Sequence, residues 1–403
     1  MKHGHLSQYF TGIASKKLSA VETDPELSHQ HEFNGVNNLI EILGPDGGAT
    51  VHFKSRFVYL SDNQEEPLVA EGEAGWYDSR RNHATRSEYR LYYPSNPVMD
   101  SASAKDFMIV GKRPDNTLLF IIAESESTAE NQIKWLFGLK DVKSRFQVKG
   151  ERETESIELN FTVRLILEQI GIEVEETAED HLDELLSRFG SQFPKTREFS
   201  DYSRDAFPEI SPLEDPDQTI IEWMDREETL FRTLERHIVQ DRLDAGFSDV
   251  DAFISFSLSV LNRRKSRAGH ALENHLEAVF TAHNIRYDRG KETENRAKPD
   301  FVFPSIKEYR DKNFPENLLT MLGAKQTCKD RWRQVLSEAK RIELKHLFTL
   351  EPGISENQTE EMKSQKLQLV VPVPLIETYS KRQQGWLMNF REFLDVVKRR
   401  QEK

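Results

Sequence analysis

Lys298-Pro299-Asp300-Phe301-Val302-Phe303, followed by Leu318-Leu319-Thr320-Met321-Leu322-Gly323-Ala324-Lys325 and by Asp330-Arg331-Trp332-Arg333-Gln334-Val335-Leu336-Ser337-Glu338, decides how this chain is read. Phe301 to Phe303 is an apolar run that predicts a short buried strand headed by Asp300. Leu318 to Ala324 predicts a second strand, ending at Lys325. A charged helical pattern then begins near Asp330 and carries Glu338. Neighbouring strands would bring Asp300 and Lys325 to one edge of a sheet, with the helix leaning Glu338 over the same spot. Phosphodiester hydrolysis uses such a set: carboxylates hold a divalent metal, and a lysine orients or helps to deprotonate the attacking water. By spacing alone an ordinary strand-end aspartate with a solvated lysine stays open as the other reading. Pro-Asp itself recurs at Pro45-Asp46, Pro114-Asp115 and Pro216-Asp217, among turn-forming or acidic residues, and there it reads as a turn.

Outward from this stretch, helices alternate with strands. Helices are predicted over Thr219 to Gln240, Val250 to Val260, His270 to His283 and Asp330 to Ile342, with a closing helix from Gln384 to Arg399. Strands are predicted at Ile285 to Tyr287, Asp300 to Phe303, Leu319 to Ala324, Leu344 to Leu350 and Leu367 to Val371. This is the pattern of an α/β domain with one central mixed sheet. Gly12 to Gly138 reads differently. Alternation in Val51 to Leu60 and apolar runs at Phe107 to Val110 and Leu118 to Ile122, separated by Gly, Asp and Asn turns, predict a mainly-β small barrel. One helix, Thr128 to Phe137, is capped by Ser127 or Thr128. The expected organisation is a β domain over residues 1–165, a linker over 166–180 and an α/β domain over 181–403.

The net charge of −13 argues against a non-specific nucleic-acid coat, although local fields matter more than the total. The charge is uneven: Glu173 to Glu184 is acidic, whereas Arg263-Arg264-Lys265-Ser266-Arg267 is a dense basic cluster. No apolar run reaches membrane-spanning length and no signal-peptide core opens the chain. The single cysteine, Cys328, fits a reducing cytosol and is read as a small buried side chain. No zinc-type spacing of histidines and no Gly-rich phosphate loop is present.

Thr327-Cys328-Lys329-Asp330-Arg331-Trp332-Arg333-Gln334, with Glu338, closely resembles the signature of EcoRII-type restriction endonucleases. Asn262 to Gly269, the helix from His270, Lys298 to Phe301, Lys345 to Leu350 and Leu369 to Pro372 resemble the same family. The resemblance implies catalytic roles for Asp300, Lys325 and Glu338, with Asp300 and Glu338 ligating Mg2+. It aligns Glu273 with a further active-site acid, and leaves Glu277 as a surface residue. In this branch of the PD-(D/E)XK enzymes the second acid follows the lysine strand; Gly323 stands where the acid usually does. Lys329, Asp330, Arg331 and Arg333 match the base-reading region. Arg or Lys bonds guanine O6 and N7 and a carboxylate accepts from cytosine N4, so a target with CC and GG ends, such as CCWGG, is expected. Arg263, Arg264, Lys265 and Arg267 are expected to contact phosphates. In the first half, Lys16 to Ala20, Tyr77 to Arg80 and Thr85 to Arg90 resemble the family's DNA-binding pseudobarrel, with Lys17, Arg86, Glu88 and Arg90 as candidate readers. Insertions separate these segments, and Tyr89 replaces a basic residue.

The expected function is therefore a magnesium-dependent type II endonuclease acting on double-stranded DNA, with the N-terminal domain as effector or anchor. A homodimer is expected, since one active site per chain must cut two strands, and relatives also include a monomeric arrangement. Two rivals belong to other classes. A DNA-binding regulator with an inactive nuclease domain would bind without cutting. A structure-selective repair nuclease would leave the Lys329-Asp330-Arg331 element without purpose.

Overall fold

The computed structural model describes residues 5–23, 31–33, 36–64, 66–83, 85–140, 142–150, 157, 159–172, 174, 181–206 and 210–403. It divides into two units, one reaching to residue 174 and the other starting at 175, with 353–355 falling in the first.

The first unit is built on eight strands: β1 (Gly12–Lys17), β2 (Glu32–Phe33), β3 (Val51–Leu60), β4 (Leu68–Asp78), β5 (Tyr89–Tyr92), β6 (Phe107–Lys112), β7 (Leu118–Ala123) and β8 (Gln147–Lys149). They form one sheet in the order β2-β5-β4-β3-β7-β6-β1-β8. Only β3 and β7 run parallel among these pairs. Strand alternation serves two cores. Phe120 and Ile122 of β7 enter a cluster with Phe57 and Trp76, while Leu119 and Ile121 enter another with Ile109 and Ile133. The helix Thr128–Leu136 lies in the second cluster, and its predicted cap holds: Ser127 accepts from the Glu130 N–H. The helix Phe161–Gln169 also belongs there. Leu167, Ile170 and Ile172, which the sequence assigns to a linker over 166–180, are buried in that core because their apolar face completes it. Residues 175–180 lie outside the described part.

The second unit carries a five-stranded mixed sheet in the order β13-β12-β11-β10-β9. Its strands are β9 (Asp288–Arg289), β10 (Phe301–Phe303), β11 (Thr320–Lys325), β12 (Lys345–Thr349) and β13 (Leu367–Val370). The antiparallel part runs from β9 to β11; β11, β12 and β13 are parallel. One face is covered by aromatic contacts: Phe280 packs against Phe301 and Phe303, Phe390 against Phe348, and Phe393 against Phe303 and His346. Each such ring buries a large apolar area, so this layer contributes strongly to the unit's hydrophobic stabilisation.

Several elements of this unit differ from the sequence reading. The helices predicted at Val250 to Val260 and His270 to His283 are one 33-residue helix, Val250–Ala282, so the basic cluster is not a loop. Its polar middle stays helical because Arg264 and Arg267 find carboxylates on the facing helix Pro216–Ala245. The strand expected at Ile285 to Tyr287 is β9, a little further on. The closing helix is Phe390–Gln401, started by an Asn389 and Glu392 capping box.

Candidate active site

Asp300 stands immediately before β10 and is fixed by β11. Its Oδ2 accepts from the Ala324 N–H at 2.7 Å and from Lys325 Nζ at 2.8 Å. The register that sets Phe301 opposite Leu322 puts Gly323 and Lys325 on the other face from the aromatic layer. On that face a Cβ at Gly323 would lie 2.9 Å from Val335 Cγ2. The helix Trp332–Leu336 thus occupies the space that an acid two residues before the lysine would need.

Glu338 supplies a carboxylate from beyond that helix. The predicted helix Asp330 to Ile342 is only Trp332–Leu336, preceded by a 3-10 turn, Lys329–Arg331. The Glu338 amide still donates to the Val335 carbonyl, but those of Ala339, Lys340 and Arg341 are taken by side chains from elsewhere in the unit, so the helix does not continue past Glu338. Burial first, and the neighbouring Asp300 second, push the Glu338 carboxyl up to about 7, against the pull of Lys325 and Lys345. Its Oε2 is buried without a hydrogen-bond partner. Lys345, which the sequence presents merely as a strand residue, is buried with its Nζ donating to the Ile342 carbonyl at 2.8 Å. Burial lowers its pKa, while Glu338 and Glu294 raise it. Sequence pattern offered no signal for a buried lysine here.

Among the described residues no three His, Cys, Asp or Glu side chains converge as a cation cage. The donor set at this edge is two carboxylates, one with an orphaned buried oxygen, beside a lysine. Hard divalent cations bound through one or two carboxylates, with waters and a substrate phosphate completing the shell, suit such a set.

The other expected residues fall into distinct environments. Glu273 Oε2 accepts from Arg289 Nη2 at 2.8 Å and Nε at 3.1 Å. Arg289 neighbours the site, since the next amide, Gly290, donates to the Asp300 carbonyl at 3.0 Å. Glu277 is not a free surface acid: it pairs with Arg289 at 3.1 Å and Arg197 at 3.0 Å. Arg331 is exposed, its Nη2 donating to Thr327 Oγ1 at 2.9 Å. Arg333 pairs with Glu361 at 2.8 Å and lies over the Trp332 ring. Nothing is described of the Asp330 side chain. The turn itself is held by Glu351, a buried acid that sequence reasoning missed, which accepts from the Cys328 and Lys329 amides. Cys328 is buried, and burial pushes its thiol far up, in line with a small core side chain.

The basic cluster splits. Arg263 is exposed above the Phe193 ring and Lys265 is exposed. Arg264 pairs with Glu235 at 2.5 Å. Arg267 is buried between Glu227, at 3.0 Å, and Glu228, which removes it from any surface that could meet phosphate. In the first unit Lys17 pairs with Glu130 at 2.5 Å. Glu88 pairs with Arg80 at 2.5 Å and with Arg90, which also reaches Glu32 at 3.2 Å. Arg86 is exposed, with no ion-pair partner among the described residues.

Residues 231–394 match the family model for the EcoRII C-terminal region. Over 388 residues the chain is 32% identical to the type II restriction enzyme EcoRII of Escherichia coli, covering 96% of this chain and 93% of that protein. Among solved structures, metal-depleted Ecl18kI in complex with uncleaved, modified DNA is similar with a TM-score of 0.45 and 19% identity, over 56% of this chain and 86% of that one. A complex of the restriction endonuclease PspGI with substrate DNA has a TM-score of 0.43 and 15% identity, over 52% of this chain and 94% of that one. No helix among the described residues is long and apolar enough to cross a membrane. The near full-length identity settles the family: the chain belongs to the EcoRII-type type II restriction endonucleases, site-specific deoxyribonucleases.

Proposed function

We propose that this enzyme hydrolyses both strands of double-stranded DNA at a short site with CC and GG ends, CCWGG-like, in a magnesium-dependent reaction at Asp300, Lys325 and Glu338. The observation that carries the reading is the joint placement of the Asp300–Lys325 contact and the unpartnered Glu338 oxygen at one sheet edge. Asp300 and Glu338 hold the cation, which when bound lowers the pKa of water and offsets charge on the phosphate. Lys325 orients the attacking water and stabilises charge developing on the pentavalent phosphorus centre. Glu273 acts at the same edge through Arg289. Lys329, Asp330, Arg331 and Arg333 read the G·C pairs, and Arg263, Arg264 and Lys265 contact the backbone.

A homodimer fits the chemistry, since each chain brings one such site to a two-stranded target. Val250, Phe253, Ile254, Leu258 and Leu261 support it: they form a stripe on one helix at helical spacing, each 46–71% exposed. In the N-terminal domain, Arg86 is the accessible candidate for contact with a second copy of the site, as effector or anchor.

The test is digestion of a plasmid library with and without Mg2+, followed by sequencing of the ends. Metal-dependent breaks confined to CC/GG-flanked sites support the reading; DNA left intact under every metal condition, or cuts at forks and nicks instead, would sink it. Removal of the N-terminal domain near Ala178 should change the rate ratio between two-site and one-site plasmids, and an unchanged ratio rejects the effector role.

A further inference from the structure

Glu338 has no helix beneath it. The helix Trp332–Leu336 closes at Ser337, and Ala339 enters the left-handed region with a φ of 45°. Alanine rarely adopts that conformation, so the segment after Glu338 has to be held from outside. Three consecutive amides are each captured by a different side chain. Ala339 N–H donates to Thr293 Oγ1 at 3.4 Å, Lys340 N–H to Glu294 Oε2 at 3.3 Å, and Arg341 N–H to the Tyr309 hydroxyl oxygen at 3.4 Å. Two of the acceptors are themselves joined, since the Tyr309 hydroxyl donates to Glu294 Oε2 at 2.6 Å. Each amide contact is long and weak alone; in series they fix the direction of the backbone.

The Arg341 side chain locks this arrangement. Its guanidinium donates to the Tyr309 carbonyl, to the Asp311 carbonyl at 2.9 Å and to the Phe314 carbonyl at 3.0 Å. Those carbonyls belong to the connection between β10 and β11, the strands that place Asp300 and Lys325. One side chain therefore ties the segment bearing Glu338 to the loop between the strands that set the other two groups. A lysine cannot reproduce this, because a single ammonium does not span three carbonyls as a planar fork does.

We propose that Arg341, with Thr293 and Glu294, is a positioning residue that fixes the separation of Glu338 from Asp300 and so sets the enzyme's affinity for its divalent cation. The proposal rests on the reading of Glu338 as a cation ligand. None of the three touches the reacting atoms; they act through the backbone of Glu338.

The experiments are single-turnover cleavage by the full-length protein, across Mg2+ concentrations, of a duplex that the wild type cuts, and calorimetric titration of Mn2+ into the full-length Lys325→Ala protein bound to that duplex. Arg341→Met raises the Mg2+ concentration for half-maximal rate by about tenfold or more, the range typical for groups supporting metal ligands, while the rate at saturating Mg2+ stays within about threefold. Added to Lys325→Ala, it weakens Mn2+ binding by the same factor. Arg341→Lys recovers only a minor part of that shift. Thr293→Val keeps the side-chain shape, removes one acceptor and shifts the midpoint by about threefold; it serves where Arg341→Met does not fold. An unchanged midpoint in folded Arg341→Met, or in Thr293→Val if the former does not fold, overturns the proposal. Glu338→Gln separates the two levels. If it cuts with the wild-type Mg2+ midpoint, the ligand reading itself is wrong; if it is inactive while Arg341→Met behaves as wild type, only the positioning role is lost.

Discussion

The two carboxylates of the active edge reach it by opposite means. Asp300 belongs to the sheet: paired strands fix its backbone, and its Oδ2 is already bonded to an amide and to Lys325. Glu338 stands outside regular structure, on a segment tied down by side chains from elsewhere, with a buried oxygen that has no hydrogen-bond partner among the described residues. One acid is satisfied before any ligand arrives and the other is not. The difference locates the strain of this site on the Glu338 side, where Lys325 and Lys345 offset only part of the burial and the like charge.

The largest expected effect breaks the Asp300 side. Lys325→Ala or Asp300→Ala lowers single-turnover cleavage by roughly a thousandfold or more, while DNA affinity measured without metal changes little. Cleavage within tenfold of wild type would show the roles to be misassigned.

Next comes a contrast between buried and exposed members of the basic cluster. Arg267→Ala removes the guanidinium from between Glu227 and Glu228, leaving Glu227 to His275 and Glu228 to Arg232, and costs about 2–3 kcal/mol in denaturant unfolding. A loss below about 1 kcal/mol would mean that Arg267 is not buried as described.

The Glu338 side can be sharpened by pH. A carboxyl whose folded-state pKa is raised from its ordinary value of 4.5 to about 7 favours its protonated form in the folded protein. Its ionisation therefore costs stability as pH rises from 4.5 through 7, and nothing below 4.5. Glu338→Gln, unfolded in EDTA, should be more stable than wild type by about 2 kcal/mol at pH 8, after discounting for partial exposure, and the gap should close by pH 4. The same variant should lose cleavage activity, a trade of function for stability. A gap that does not depend on pH would contradict the strained environment.

Gly323→Ala drives a methyl into Val335 and costs about 1–3 kcal/mol, and a second change, Val335→Ala, relieves part of it. Additive losses would show that the two do not meet. Smallest is Arg263→Ala, which leaves unfolding unchanged and lowers the salt dependence of DNA binding by about one counterion. An unaltered slope removes Arg263 from the backbone contacts.

The parts of this molecule that follow local rules could be read from its residues. The apolar runs of β10, β11, β12 and β13 and the period-2 pattern of β3 announced themselves, as did the Ser127 cap, because each depends on neighbours in sequence. Asp300 next to Lys325 followed from strand adjacency alone. What escaped depends on distant partners. The polar stretch Arg263 to Arg267 looked like a loop because the carboxylates that keep it helical lie on another helix. The helix expected through Ile342 stops early because Thr293, Glu294 and Tyr309 claim its amides, which no helical period reveals. Lys345 opens a family-like strand and Glu351 follows it, yet the burial of both is a property of the assembled sheet that the residues alone do not show. The linker reading of Leu167 to Ile172 failed because acidic neighbours masked an apolar face that completes the first core.

As proposed, Asp300 and Glu338 together hold one divalent cation beside Lys325. Calorimetric titration of Mn2+ into the Lys325→Ala protein, bound to a duplex that the wild type cuts, tests it most directly when compared with the same protein also carrying Glu338→Gln. The account predicts a cation site in the first that is lost or weakened by about tenfold or more in the second. Equal affinity in both would contradict it.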